Sequence, residues 1–168
     1  PDSDYEVVVF TNRAPALSTP VSQWSLPSIN GLETPTPDAA GACEVLCYTA
    51  DHNTSFANLS LKQIRVILEA WKDRTAQLSK LSFIEQVFPF ENRGEEVGVT
   101  LTHPHGQIYA YSFLPPRIEK MLDVAEAHLK RSGRVLLDDL VAREIKDEKR
   151  IISQNQEWIA YVPFAARY

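Results

Sequence analysis

The sequence predicts an α+β fold, an antiparallel sheet with helices packed on one face. Three observations predict it. Short β-branched and aromatic runs recur along the chain, clear helical spacings are inserted between them, and no strand–helix–strand alternation is sustained as a parallel sheet would need. With 168 residues, 44% hydrophobic and 23% charged, the chain suits one domain, with or without a small appendage. A chain of that size holds a core without disulfide staples.

Tyr5–Phe10 (YEVVVF) is β-branched and aromatic and reads as a buried strand. The stretch from Asn12 to Ala40 carries Pro15, Pro20, Pro27, Pro35 and Pro37 and has no periodicity, which marks a functional or mobile loop. Trp24 and Leu26 are the side chains placed to pin it. Cys43–Thr49 is the next strand. Ser60 opens the clearest helix, with Gln63 completing a capping box and Leu61, Ile64, Leu68, Trp71 and Leu78 recurring as one apolar stripe. Phe83–Phe90 is strand-like, and Pro89 puts it at a bulge or a sheet edge, because proline has no N–H for a ladder. Asn92–Val97 is a turn, and Val99–Phe113 holds one or two strands. Pro115 and Pro116 start a helix over 117–131 that Gly133 stops, and Val135–Lys146 is another. Arg150–Ser153 and Trp158–Val162 make a final hairpin around Asn155.

The charge balance excludes some functions. Lys+Arg is 17 and Asp+Glu is 22, a net charge of −5, which argues against nucleic-acid binding through a basic face. A single nucleotide needs only a few local donors and is not excluded. No apolar run approaches the roughly 20 residues of a membrane span. The opening Pro-Asp-Ser-Asp-Tyr-Glu lacks the basic and apolar regions of a signal peptide. The two cysteines, Cys43 and Cys47, fall in one predicted strand, too close for a disulfide framework, so a reducing cytoplasm is the expected compartment. The chain opens without Met almost directly on a strand and closes at Tyr168 just after another, so both ends read as cut and a fragment or split subunit is expected.

Thr102-His103-Pro104-His105-Gly106-Gln107-Ile108-Tyr109 carries the chemistry. On a strand, His103, His105 and Gln107 project to one side, with Pro104, Gly106 and Ile108 on the other. Two imidazoles and an amide on one face are costly to bury without partners. Three chemistries fit: a metal held by both rings, one histidine as nucleophile beside a structural neighbour, or both as phosphate donors. Pro104 fixes φ between the histidines, and Gly106 lacks a side chain, which lets a ligand approach. Gly94 and Gly98 bracket the upstream turn and leave backbone N–H groups suited to phosphate.

His103-Pro104-His105-Gly106-Gln107 resembles the active-site motif of the galactose-1-phosphate uridylyltransferase family, within the histidine-triad superfamily. Phe10-Thr11-Asn12 is similar to the family's uridine-contacting strand end, and Asp51-His52, Phe90-Glu91-Asn92-Arg93-Gly94 and Ser112-Phe113-Leu114-Pro115 follow in its order and spacing. The resemblance covers nearly the whole chain but only the first, nucleophile-bearing half of the family's two-fold-repeated subunit. It implies a histidine-triad-like sheet and a ping-pong transfer of UMP from UDP-glucose to galactose 1-phosphate. His105 would attack the α-phosphorus and carry a uridylyl-histidine intermediate. Gln107 stands where related hydrolases carry a third histidine; an amide holds phosphoryl oxygens but does not exchange protons near neutral pH. Asn12, Asn92 and Thr100 match nucleotide- or phosphate-binding positions, with Thr100 where Ser is more familiar. A homodimer or a complementary C-terminal half is the implied protein partner. Other members of the superfamily, diadenosine-polyphosphate or ADP-sugar phosphorylases, also follow the His-x-His with Gln, and an inactive nucleotide-binding fragment is the non-enzymatic reading.

The resemblance also implies zinc, held in well-known members by a Cys-x-x-Cys pair and two histidines. His52 and His103 fall on the histidine positions. The cysteine pair would lie just before Pro1, and Cys43 and Cys47 are not that pair by position, so the site is incomplete in this chain. Arg13 and Ala14 replace acidic and aromatic residues seen in some members. Met121 falls where some members carry a glutamate for a second metal, with Glu119 close by, and His128 reads as a plain helix-surface residue.

Overall fold

The computed structural model describes residues 4–19, 40–97, 99 and 101–166. Trp24, Leu26, Gly98 and Thr100 lie outside the described residues. The chain divides into two compact units, Pro1–Leu114 and Pro115–Tyr168.

The first unit is an antiparallel sheet with a helix on one face. Its strands are β1 (Val8–Thr11), β2 (Gly41–Cys47), β3 (Gln86–Phe90) and β4 (His105–Tyr111), in the order β1-β2-β4-β3. Pro89 sits on β3, an outer strand of that order, where a missing N–H is tolerated. Helix α1 (Leu61–Leu78) lies over the face that carries Leu46, Ile108 and Ala110, and buries Ile67 and Leu78 there with Tyr48. The helical stripe is therefore rotated from the sequence expectation. Leu61 and Leu68 are exposed, while Ile67, Ala70, Trp71 and Leu78 meet the core. One charged pair spans this face: Arg74 of α1 forks onto Glu44 of β2 through two hydrogen bonds of 2.7 and 2.8 Å.

The helix start also differs from the capping box. The Ser60 hydroxyl accepts from the Gln63 N–H at 3.1 Å, as expected. The Gln63 side chain does not return to Ser60. Its amide donates instead to the backbone carbonyls of Glu6 and Tyr48, and so joins the lead-in of β1 to the exit of β2. Two carbonyls that leave the ladder at neighbouring strand ends are stronger attractors than one solvated N–H.

The second unit holds α2 (Pro116–Ser132), α3 (Leu136–Asp147) and the hairpin of β5 (Ile151–Gln154) and β6 (Ile159–Tyr161). Gly133 ends α2 in the left-handed region at φ 68°, its N–H returning to the Leu129 carbonyl. The Asn155 side chain closes the hairpin by accepting from the N–H groups of Glu157 and Trp158. His128 is not a plain surface residue. Its Nε2 lies 2.9 Å from Asp139 Oδ2, and both side chains are largely buried between α2 and α3, because a helical hairpin must satisfy polar groups that its packing removes from water. No helix among the described residues is long and apolar enough to cross a membrane.

Candidate active site

Strand alternation prepares one face of β4 for chemistry. Gly106, Ile108 and Ala110 are buried on the α1 side, so His105, Gln107, Tyr109 and Tyr111 project from the other. The register lines up Phe10, Val45, Gln107 and Phe90 as one row across four strands, with Val8, Cys47 and His105 in the adjacent row. Gly106 does not open a path for a ligand. It faces the core, and a Cβ there would collide with the Tyr48 hydroxyl and the Phe90 carbonyl. The glycine is small because the inner face is full.

His103 precedes the strand, and its environment differs from that of His105. Its Nε2 lies 3.0 Å from the Tyr5 hydroxyl and its Nδ1 lies 2.8 Å from His52 Nδ1. Burial, followed by the neighbouring His52, holds its pKa below the ordinary histidine value; a hydrogen bond to the Thr49 backbone partly opposes this. The ring is thus kept neutral near pH 7. Its backbone carbonyl does a separate job. It stands 2.7 Å from His105 Nδ1, and because a carbonyl can only accept, that nitrogen carries the proton. His105 Nε2 is left with its lone pair.

A cleft of about 270 Å³ opens beside His105, walled by the Glu91–Glu95 turn, by Thr54 and Ser55, and by the run from Leu101 to His105. Gly94 makes the turn with φ 99°, in the left-handed region. Asn92 and His103 line this cleft with His105; Gln107 and Asn12 do not. Gln107 follows His105 on the same strand face. Asn12 closes an Asx turn just past β1, its Oδ1 accepting from the Ala14 N–H at 3.0 Å. Arg93 is the one lysine or arginine on the cleft wall among the described residues, a place that its position in the Asn92–Val97 turn does not by itself signal in the sequence. Tyr5 was read only as strand, and no local signal ties it to a histidine 98 positions away.

The histidine pair offers part of a metal site. Two nitrogens on one tetrahedral zinc, each at about 2.0–2.1 Å, stand roughly 3.3–3.4 Å apart. The observed 2.8 Å is a hydrogen bond, and the rings must part slightly to admit an ion. Among the described residues no third His, Cys, Asp or Glu completes a metal-binding group. Cys43 is buried in β2, and Cys47 is partly buried with its thiol pKa pushed up by burial.

Sheet, covering helix and the His-x-His-x-Gln strand together define a histidine-triad-like α+β protein. The family model for galactose-1-phosphate uridyl transferase, N-terminal domain, matches residues 1–115. The galactose-1-phosphate uridylyltransferase of Streptomyces lividans is 44% identical over 99% of this chain and 42% of its own length. That of Thermotoga maritima is 39% identical over 98% of this chain and 51% of its own. A solved uridylyltransferase superposes with a TM-score of 0.88 at 32% identity, over 98% of this chain and 51% of the other. The chain belongs to the galactose-1-phosphate uridylyltransferase family. It spans about half the length of the curated relatives it matches.

Proposed function

We propose that this chain carries the nucleophile of a hexose-1-phosphate uridylyltransferase, with His105 Nε2 as the attacking atom. The 2.7 Å bond from His105 Nδ1–H to the His103 carbonyl carries the proposal. It leaves the lone pair on the nitrogen that can face the cleft, and it does so without a general base. Attack on the α-phosphorus of UDP-glucose forms a P–N bond and breaks the bond to the β-phosphate bridging oxygen. Glucose 1-phosphate leaves with the electron pair. Its phosphate has a second pKa near 6, so it departs without needing an acid. The positive charge that grows on the imidazole is met by the same carbonyl, which keeps the Nδ1 proton in place. A phosphate oxygen of galactose 1-phosphate then attacks the α-phosphorus, breaks the P–N bond and regenerates neutral His105.

The remaining residues orient rather than react. Gln107 and Asn92 are amides suited to phosphoryl oxygens, and Arg93 adds the charge that a diphosphate needs. Asn12 and Thr100 are assigned to the nucleotide by motif alone. We assign His52 and His103 as two ligands of a structural zinc whose other ligands lie outside the described residues; when bound, it would fix the two loops that carry them. Contacts to the sugar phosphates are assigned to a second copy of this chain or to the part of the relatives' length that this chain does not match.

The test is incubation with UDP-glucose carrying 32P at the α-position, followed by acid and base treatment of the isolated protein. A label that is acid-labile, base-stable and lost in His105→Gly supports the proposal. A wild-type chain that folds, binds uridine nucleotide and takes no label, or a label that persists in His105→Gly, overturns it.

A further inference from the structure

The second unit has a polar cavity of its own, built from residues to which no function has been given. Its volume is about 270 Å³, and Arg134, Asp139, Ala142, Arg143 and Lys146 line it. Four of the five stand on one face of α3, because positions 139, 142, 143 and 146 recur at helical spacing. Arg134 comes from the turn between α2 and α3. One side of the cavity is already organised. Asp139 is 9% exposed, with His128 Nε2 at 2.9 Å from its Oδ2 and Arg134 ion-paired to its Oδ1. The carboxylate is thereby neutralised, and Arg134 is tied at the rim. A guanidinium has five N–H donors, so most of those of Arg134 are left over.

Arg143 and Lys146 have no such partner. Neither makes a hydrogen bond or an ion pair with any described residue, and the carboxylates beside them on α3 are taken: Glu144 by Arg150, and Asp147 by Arg150 and Lys149. Like charges one turn apart on a helix face repel, and here nothing in the chain answers them. Nor does the acidity of the whole chain extend to this unit. Ten of the 17 Lys and Arg residues follow Leu114, with only nine of the 22 Asp and Glu. We propose that this cavity binds a phosphate group, its charge met by Arg143 and Lys146 and its oxygens by the free N–H groups of Arg134. Guanidinium forks match the oxygens of a phosphate, and an ammonium adds a point charge. Ala142 is short, which lets the anion come close to the helix. No lining residue is aromatic, so a nucleobase finds no stacking surface, and the ligand class is a free phosphate dianion or a phosphate monoester. The site shares no residue with the cleft at His105 and stands independently of the transferase proposal.

The experiment is a titration of the full 15N-labelled chain with inorganic phosphate, followed by its backbone amide signals. Ionic strength is held constant with sodium chloride, so that general screening is not read as binding. Wild type is expected to show saturable shifts of the amides from Asp139 to Lys146. Arg143→Gln with Lys146→Gln replaces two exposed side chains and is expected to weaken binding about 10-fold or more, with the dispersion of the spectrum confirming the fold. Arg93→Gln, in the cleft at His105, is expected to leave the α3 shifts unchanged. A parallel titration with glucose 1-phosphate names the source: tighter binding than inorganic phosphate assigns the site to an ester, and equal or weaker binding to the free anion. Shifts on α3 that stay linear in phosphate overturn the proposal. So do saturable shifts confined to the Glu91–Glu95 turn and lost in Arg93→Gln, or α3 shifts that the folded double variant retains in full.

Discussion

His103 and His105 are joined by backbone, not by their rings: Nδ1 of His105 stands 2.7 Å from the carbonyl oxygen of His103. Side-chain replacement at 103 leaves that carbonyl in place, while replacement at 105 removes the ring proposed to attack phosphorus. His105→Gln is expected to lower the rate of labelling by α-32P UDP-glucose at least about 1000-fold. His103→Gln is expected to lower it about 10–100-fold, as loss of a supporting partner does. Quenched time courses of label on the protein check both. Equal losses would mean that the His103 ring takes part in the chemistry.

The inner face of β4 at Gly106 has no spare room. Gly106→Ala drives a methyl group into the Tyr48 hydroxyl and the Phe90 carbonyl, and is expected to cost about 1–3 kcal/mol. Tyr48→Phe removes the closer of the two obstacles, and the pair is expected to couple favourably, so the double variant loses less than the sum. Urea unfolding of the four proteins in the cycle measures it.

Arg74→Ala strands the Glu44 carboxylate, whose side chain is 12% exposed, over the apolar face. The expected loss is about 1–3 kcal/mol, the lower part of the range reflecting an arginine that is 29% exposed. The measurement is the urea midpoint at low and at high salt, with the loss smaller at high salt.

The second unit has its own acid limit. The hydrogen bond from His128, with Arg134 also paired to it, holds the Asp139 carboxyl below its ordinary value of 3.8. A depressed carboxyl contributes stability that is present above the unfolded value and is lost as pH falls through the folded one, since the unfolded chain then binds more protons. Helix melts followed by circular dichroism from pH 6 to pH 2 are expected to show wild type losing thermal midpoint below about pH 4 more steeply than Asp139→Asn.

A chain that matches half of its relatives is expected to label better than it turns over. Release of glucose 1-phosphate in a coupled assay should be weak for the chain alone, and should rise at least about 10-fold when the second half of a relative is supplied, because remote sugar contacts orient the reacting phosphate. Full turnover by the chain alone would show that its own copies supply those contacts.

Much of this arrangement was legible in the sequence because it depends on short-range rules. Alternation put His105 and Gln107 on one face, proline put β3 at an edge, and Gly133 stopped a helix. The reading went wrong where a distant residue decided the outcome. Gln63 was read as half of a local cap, but two carbonyls from separate strands claim its amide. Gly106 was read as room for a ligand, but Tyr48 had filled it. The stripe of α1 was placed on Leu61, Ile64, Leu68, Trp71 and Leu78, of which Trp71 and Leu78 meet the core and Leu61 and Leu68 do not, since only the sheet determines which side of an apolar helix is covered. Tyr5 stands beside His103 through a register that no spacing encodes.

That register has a kinetic meaning. Strand β4 is zipped on both flanks, to β2 along its whole length and to β3 from Gln107 onward. A slip by a single residue would turn the His105 ring inward and push the Tyr48 contact onto a side chain, so that misregister is heavily penalised. The His105 ring is therefore indexed to the sheet like a tooth on a rack. If His105 attacks as proposed, any adjustment to a different ligand must come from the opposite wall, the Glu91–Glu95 turn, while the His105 ring keeps one fixed address.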